Sequence, residues 1–229
     1  YESNDKDAKA HFKKIIKKYP TSDYAIASEY YLGMIEIANP PKNPKRLVKS
    51  QDKALNHFKN YLEKAPDGRF ALKSIEEIVK LDRPLSNYDN LLIAKGYYAN
   101  GEFEKSKIFL NKTTLSESWS DFAKNEYKLG NKEKGNYYTE LGLKEHAINT
   151  APEDVYEVID NYVAAATTRK DGINKLVGLG AKSTGADYIA YLNCNEVVES
   201  NVKEACFRTL YEKYPNGQFS ADSLYNLFM

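Results

Sequence analysis

The sequence predicts an all-α fold, an α-α superhelix of about thirteen helices in which helical hairpins stack as a solenoid. A helix, stop, helix pattern occurs three times, at Phe12 to Ala25 (FKKIIKKYPTSDYA), Phe58 to Ala71 (FKNYLEKAPDGRFA) and Phe207 to Ser220 (FRTLYEKYPNGQFS). Each copy has a phenylalanine eight residues before a proline and an aromatic four residues after it (Tyr24, Phe70, Phe219). Proline stops the first helix, because it lacks a backbone donor and pushes the preceding residue out of the α region. Thr21, Asp67 or Asn216 follows as an N-cap for the second helix. A different, glycine-centred turn recurs at Gly101 and Gly130, 29 residues apart. No unit of this size buries its apolar stripe alone, so the units must stack.

In chain order, residues 4–19 place Ala8, Phe12, Ile15, Ile16 and Tyr19 at helical spacing, with lysines on the remaining face. After Pro20 a second helix over residues 22–38 presents Tyr24, Ala27, Tyr31 and Ile35. Asn39 to Pro44 is a loop, and Asn43 with Pro44 at the first helical position starts the next helix. That helix runs to about Ala65, and its partner from Asp67 to about Lys80. Asp82-Arg83-Pro84 breaks the chain, and Ser86 or Asn87 caps a helix reaching Ala99.

Around Gly101 and Gly130 a small residue follows five positions on (Ser106, Gly135) and an aromatic eight positions on (Phe109, Tyr138). This resembles the turn of tetratricopeptide repeats, in which the small residue lets two helices approach closely. Between these turns, Leu115 to Tyr127 reads as a helix burying Trp119, Phe122 and Ala123. Thr150-Ala-Pro-Glu153 has the form of a capping box for a helix reaching about Ala166. Two short helices follow between Arg169 and Asn193, broken at glycines 178, 180 and 185, and the third proline unit closes the chain. The grouping is one array over 1–229, with two proline-type hairpins in 1–80, tetratricopeptide-like hairpins in 86–147 and irregular hairpins in 150–229. A solenoid ending at Met229 leaves an apolar face uncapped, so the expectation is a piece of a longer chain or a covering partner.

Thirty-three basic against 32 acidic residues leave a net charge of +1, too little to recruit nucleic acid or an anionic membrane. No apolar run approaches the roughly 20 residues that cross a bilayer. Nineteen tyrosines, nine phenylalanines and one tryptophan supply rings for the seams between helices.

Little in the chain points to catalysis. His11 and His57 occupy the same repeat slot, nine residues before the proline, which Cys206 fills in the third copy; shared slots indicate packing. His146 is isolated, and no nucleophile or metal-ligand spacing accompanies any histidine. Gly178 to Gly185 (GLGAKSTG) lacks the glycines and the preceding strand of a phosphate loop, and reads as a helix end and turn. Glu76 and Glu77 diverge by about 100° on a helix and read as solvated. Asn111-Lys-Thr113 is a single glycosylation sequon. Cys194 and Cys206, twelve residues apart, either form a disulfide stapling a helical hairpin or remain two buried thiols. No catalytic, cofactor-binding or metal-binding residue is assigned.

The units Tyr19 to Gly33 (YPTSDYAIASEYYLG), Gly96 to Leu110 (GYYANGEFEKSKIFL) and Tyr214 to Phe228 (YPNGQFSADSLYNLF) resemble the helical superhelix that precedes the catalytic domain of soluble lytic transglycosylases of the bacterial periplasm. The resemblance spans most of the chain. Those enzymes cleave peptidoglycan glycan strands with a glutamate, usually in a Glu-Ser pair followed by a glycine-leucine-methionine-glutamine stretch. Glu117-Ser118 is such a pair, but the downstream stretch is absent, so catalysis is not carried onto Glu117. The resemblance implies a non-catalytic scaffold in the periplasm or cell envelope, with the active site beyond Met229 and glycan strands reached through that adjoining domain. Candidate groove aromatics are Tyr30, Tyr97, Tyr98, Trp119, Tyr137 and Tyr138. The alternative is a tetratricopeptide-type interaction module, like those of outer-membrane assembly lipoproteins, binding a protein or peptide in its concave groove.

Overall fold

The structure, a computed structural model, describes residues 2–146, 150–179 and 183–228. Among the described residues there are thirteen helices and no strand: α1 (Glu2–Lys18), α2 (Asp23–Ala38), α3 (Pro44–Lys64), α4 (Ala71–Lys80), α5 (Asn87–Ala99), α6 (Phe103–Leu110), α7 (Leu115–Lys128), α8 (Lys132–Glu145), α9 (Pro152–Ala165), α10 (Arg169–Leu179), α11 (Ala186–Asn195), α12 (Ser200–Lys213) and α13 (Gln218–Phe228). The chain divides into two compact units, Tyr1–Thr113 and Thr114–Met229. This boundary falls within the stretch 86–147 that the sequence pattern groups together.

In the first unit α1 pairs with α2, α2 packs on α3, α3 on α4 and α5, and α5 on α6. Local chemistry sets several of these ends. Asn43 Oδ1 accepts from the Arg46 amide at 3.2 Å, with Pro44 at the first helical position. Ser86 and Asp89 form a reciprocal capping box at the start of α5. Two of the expected caps are displaced. Ser22, not Thr21, caps α2, its Oγ accepting from Ala25 N at 3.2 Å. Asp67 caps nothing: Gly68 N donates to Ala65 O at 3.1 Å and Ala71 N to Gly68 O at 2.8 Å. These successive turns delay α4 to Ala71.

The face of α2 also differs from the expected one. Its buried residues are Ala25, Ser28, Glu29, Tyr30, Leu32, Gly33 and Glu36, whereas Tyr24 is 79% exposed. Wedged between α1 and α3, α2 needs two contact faces. Tyr31 stacks on Phe12 of α1 (centroids 5.4 Å), while Gly33 faces α3, where an added Cβ would lie 2.6 Å from the Phe58 ring. Tyr30 stacks on Phe70 at 4.3 Å, and Tyr61, whose hydroxyl accepts from Phe70 N, meets both rings edge-on. Gly101 turns the chain with φ +75°, a conformation that favours glycine. Five residues on, the buried Ser106 donates to Ala94 O at 2.9 Å, joining α6 to α5.

In the second unit α7 pairs with α8, and both pack on α9; α10 joins α9 to α11, and α11 carries α12 and α13. Gly130 (φ +78°) makes the second glycine turn, and at Gly135 a Cβ would come 2.5 Å from the Tyr127 ring. Trp119, 1% exposed, anchors a core with Val155, Ile159, Tyr162 and Leu176. Its indole N–H donates to Thr150 Oγ1 at 2.8 Å. The expected capping box at Thr150 is therefore not the observed start of α9: Ala151 holds the cap position without a side-chain bond, because the Thr150 hydroxyl is engaged by the indole. Asn216, likewise, lies two residues before α13 begins at Gln218.

Gly142 lies against the Trp119 ring so closely that any Cβ would overlap it. Gly142→Ala should lower stability by about 1–3 kcal/mol, as overpacking does. Gly178→Ala, where a Cβ meets nothing within 4 Å, should be neutral or stabilising. Urea unfolding midpoints of the two variants check the contrast.

Candidate functional site

The end of the second unit is built around a covalent tie. Gly185 lets α11 start tight on α9, since a Cβ there would lie 2.7 Å from both Ile159 Cδ1 and Val155 Cγ1. The last turn of α11 then brings Cys194, 1% exposed, to Cys206 of α12. The two form a disulfide with Cα atoms 5.5 Å apart. The bridge packs with Phe207 and Leu210 in a small cluster of its own, flanked by Tyr191 and Tyr214.

Beside the bridge runs an apolar groove of about 440 Å³, walled by Val177, Ile189, Ala190, Val202, Ala205 and Leu210. Four rings secure α13 on the other side: Phe219 contacts Tyr188 at 4.6 Å, Tyr191 at 5.0 Å and Tyr156 at 5.2 Å. Tyr188 donates to Asp160 at 2.5 Å, and burial together with that carboxylate pushes its phenol pKa well up. The phenol therefore serves as a donor and not as an acid. This cluster has no local sequence signal, since its members come from three helices.

The six candidate groove aromatics have different fates. Tyr30 (9% exposed) and Trp119 (1%) are core residues and offer no groove surface. Tyr97 tilts against Phe109 at 5.7 Å, Tyr98 meets Phe103 at 5.4 Å, and Tyr138 stacks on Phe122 at 5.0 Å. Each is half-buried in the seam of its own hairpin. Tyr137, 60% exposed, is the one open ring among the six.

The remaining chemical candidates are also dispersed. Glu117 is exposed and accepts from the Thr114 hydroxyl at 3.1 Å, while Ser118 is buried at a kink and donates to Thr114 O. Residues 180–182 of the glycine-rich stretch lie outside the described residues; Gly178, expected to break a helix, lies inside the last turn of α10, and Gly185 precedes α11. Among the described residues no three His, Cys, Asp or Glu side chains converge as metal ligands. Among the described residues no helix is long and apolar enough to cross a membrane. The shared histidine slot does not have a shared role: exposed His11 pairs with Asp7 O of its own helix, whereas His57 Nδ1 lies 2.6 Å from buried Glu29 of α2.

Several buried ionisable groups in the seams meet groups of opposite charge. Lys124, buried in α7, is met by Asp154 at 2.5 Å, Glu157 at 3.6 Å and Asp121 at 3.8 Å. Burial opposes its charge, yet Asp121 and Asp154 hold the ammonium above its ordinary range. In the first unit Glu29 pairs with His57, Glu36 with Lys9 and Asp89 with Lys59. Burial pushes all three carboxyls up, but hydrogen bonds and charge from these partners outweigh it and hold each below its usual range.

Carboxyls held low in the folded state stabilise it above their unfolded pKa, and the contribution drains as pH falls through the folded value. Stability of the first unit should therefore be level above about pH 5 and fall below about pH 4. Glu29→Gln should flatten that acid limb in chemical unfolding curves measured from pH 3 to 7. Separately, removing the bridge with Cys194→Ala and Cys206→Ala should cost about 3 kcal/mol, the loop-closure value for a ring of this size. A matched loss on adding dithiothreitol to the parent chain, absent in the double variant, checks it. Compared with known family models and with curated proteins, the chain matches none of them.

Proposed function

We propose that this chain is a non-catalytic helical-repeat scaffold of a bacterial cell-envelope protein, the superhelical region of a peptidoglycan lytic transglycosylase. One observation carries the scaffold reading: among the described residues the most extensive helix contacts join helices one or two places apart in the chain, with the Tyr156–Phe219 ring contact reaching further. Nearest-neighbour packing of this kind is the signature of stacked hairpins, and it supports a solenoid within each unit. The Cys194–Cys206 disulfide supports the address, because such bridges persist in oxidising compartments such as the periplasm. The tyrosine-rich, proline-punctuated units supply the resemblance to the transglycosylase superhelix.

In this reading the cleavage of glycan strands belongs to an adjoining domain, and the helical region positions that domain. A second reading, a protein-interaction module of the tetratricopeptide type, is favoured by the apolar groove beside the bridge, which suits the apolar face of a partner helix.

Purified chain incubated with peptidoglycan sacculi should release no anhydromuropeptides above the blank, measured by chromatography of the soluble fraction. Release by the chain alone would overturn the scaffold reading. The parent gene distinguishes the two readings: a lysozyme-like domain with a Glu-Ser pair supports the transglycosylase, and its absence leaves the interaction module.

A further inference from the structure

A second cleft, of about 520 Å³, opens in the second unit between the start of α9, the start of α11 and the turn joining α12 to α13. Its volume lies within the roughly 300–1,000 Å³ typical of small-ligand sites. Its chemistry differs from that of the apolar groove. It is lined by Tyr156, Tyr214, Asp187, Asn216, Gln218 and Thr184.

The cleft is built, not incidental. Asp187 is 6% exposed, and its Oδ1 accepts from the Tyr188 amide at 2.8 Å, which fixes the carboxylate at the head of α11. The turn comes down onto that carboxylate at Gly217, where an added Cβ would lie 2.7 Å from Asp187 Oδ2. Gly217 N in turn donates to Tyr214 O at 2.9 Å, holding Tyr214 and Asn216 on the rim. Tyr156 is fixed from behind by Tyr188 at 5.0 Å and Phe219 at 5.2 Å. The carboxylate and the turn thus hold one another, and the Tyr156 ring is held by rings outside the cavity.

We propose that this cleft is a saccharide site that takes N-acetylated sugar rings of a glycan strand. Sugar rings present C–H faces that pack on aromatic rings, and hydroxyls that bond to planar carboxylate and amide groups. Tyr156 and the exposed amide residues Asn216 and Gln218 line the cleft, while Asp187 is held against the turn. Among its described lining residues none is cationic, and Asp187 repels negative charge, so phosphate and nucleotide ligands are disfavoured. Ala186 and Pro152 give an apolar corner for the methyl of an acetamido group. The choice of an N-acetylated glycan rests on the peptidoglycan reading above.

The test uses the whole chain with two probes, chitotetraose and purified peptidoglycan sacculi. Chitotetraose should shift NMR resonances of residues 152–156, 183–187 and 214–218, and sacculi should co-sediment the chain. Asn216→Ala with Gln218→Ala changes two exposed residues, so the fold survives, which a circular dichroism melt verifies. The double variant should weaken chitotetraose binding about tenfold and reduce co-sedimentation in step. Undiminished binding by the variant, or shifts confined to other residues, overturns the cleft and leaves the glycan-handling scaffold standing. Co-sedimentation without chitotetraose binding also overturns the saccharide site and points to the peptide part of the wall. Binding to neither probe overturns both the cleft and the peptidoglycan reading.

Discussion

The close approach of helices at residues without side chains is the constraint on which both units depend. Gly33 leaves room for Phe58, Gly96 for Ile75, Gly135 for Tyr127, Gly142 for Trp119 and Gly185 for Ile159. In each case a large side chain occupies the place where a Cβ would stand. Glycine in a helix costs roughly 0.5–1 kcal/mol relative to alanine, and burying a large aromatic or aliphatic side chain offsets that cost. Helical hairpins that pack on one another are secured by such local fits.

Charge is arranged to serve the same packing. The partners of Glu29, Glu36 and Asp89 come from a neighbouring helix, so each pair ties two helices together while relieving a buried carboxylate. Lys124 does the reverse, one ammonium drawing carboxylates from α7 and α9. These groups are fully engaged in holding the fold.

The last three helices work differently. Their apolar cluster is small, and a disulfide and a four-ring contact supplement it. Holding α12 and α13 at these few points leaves space between them and the rest of the unit, an apolar groove on one side and a polar cleft on the other. A more continuous core would have filled both.

By itself the sequence determined that proline and turn glycines interrupt the helices and that Asn43 and Ser86 are caps, because these act within one turn of backbone; it did not determine the starts expected at Thr21, Asp67, Thr150 and Asn216. It also determined the all-helical character seen among the described residues and that hairpins pack on one another. Tertiary structure alone decided which surface each residue faces. Tyr30 and Trp119 have the composition of ligand-binding residues yet lie in the core, since α3 and α8 each present a surface that needs a large ring. The Thr150 hydroxyl went to an indole 31 residues away in preference to its own helix. Asp187, Tyr156 and Asn216 meet only because a turn at Gly217 can rest on the head of α11. Such meetings depend on contacts distant in sequence, which helical periodicity does not encode.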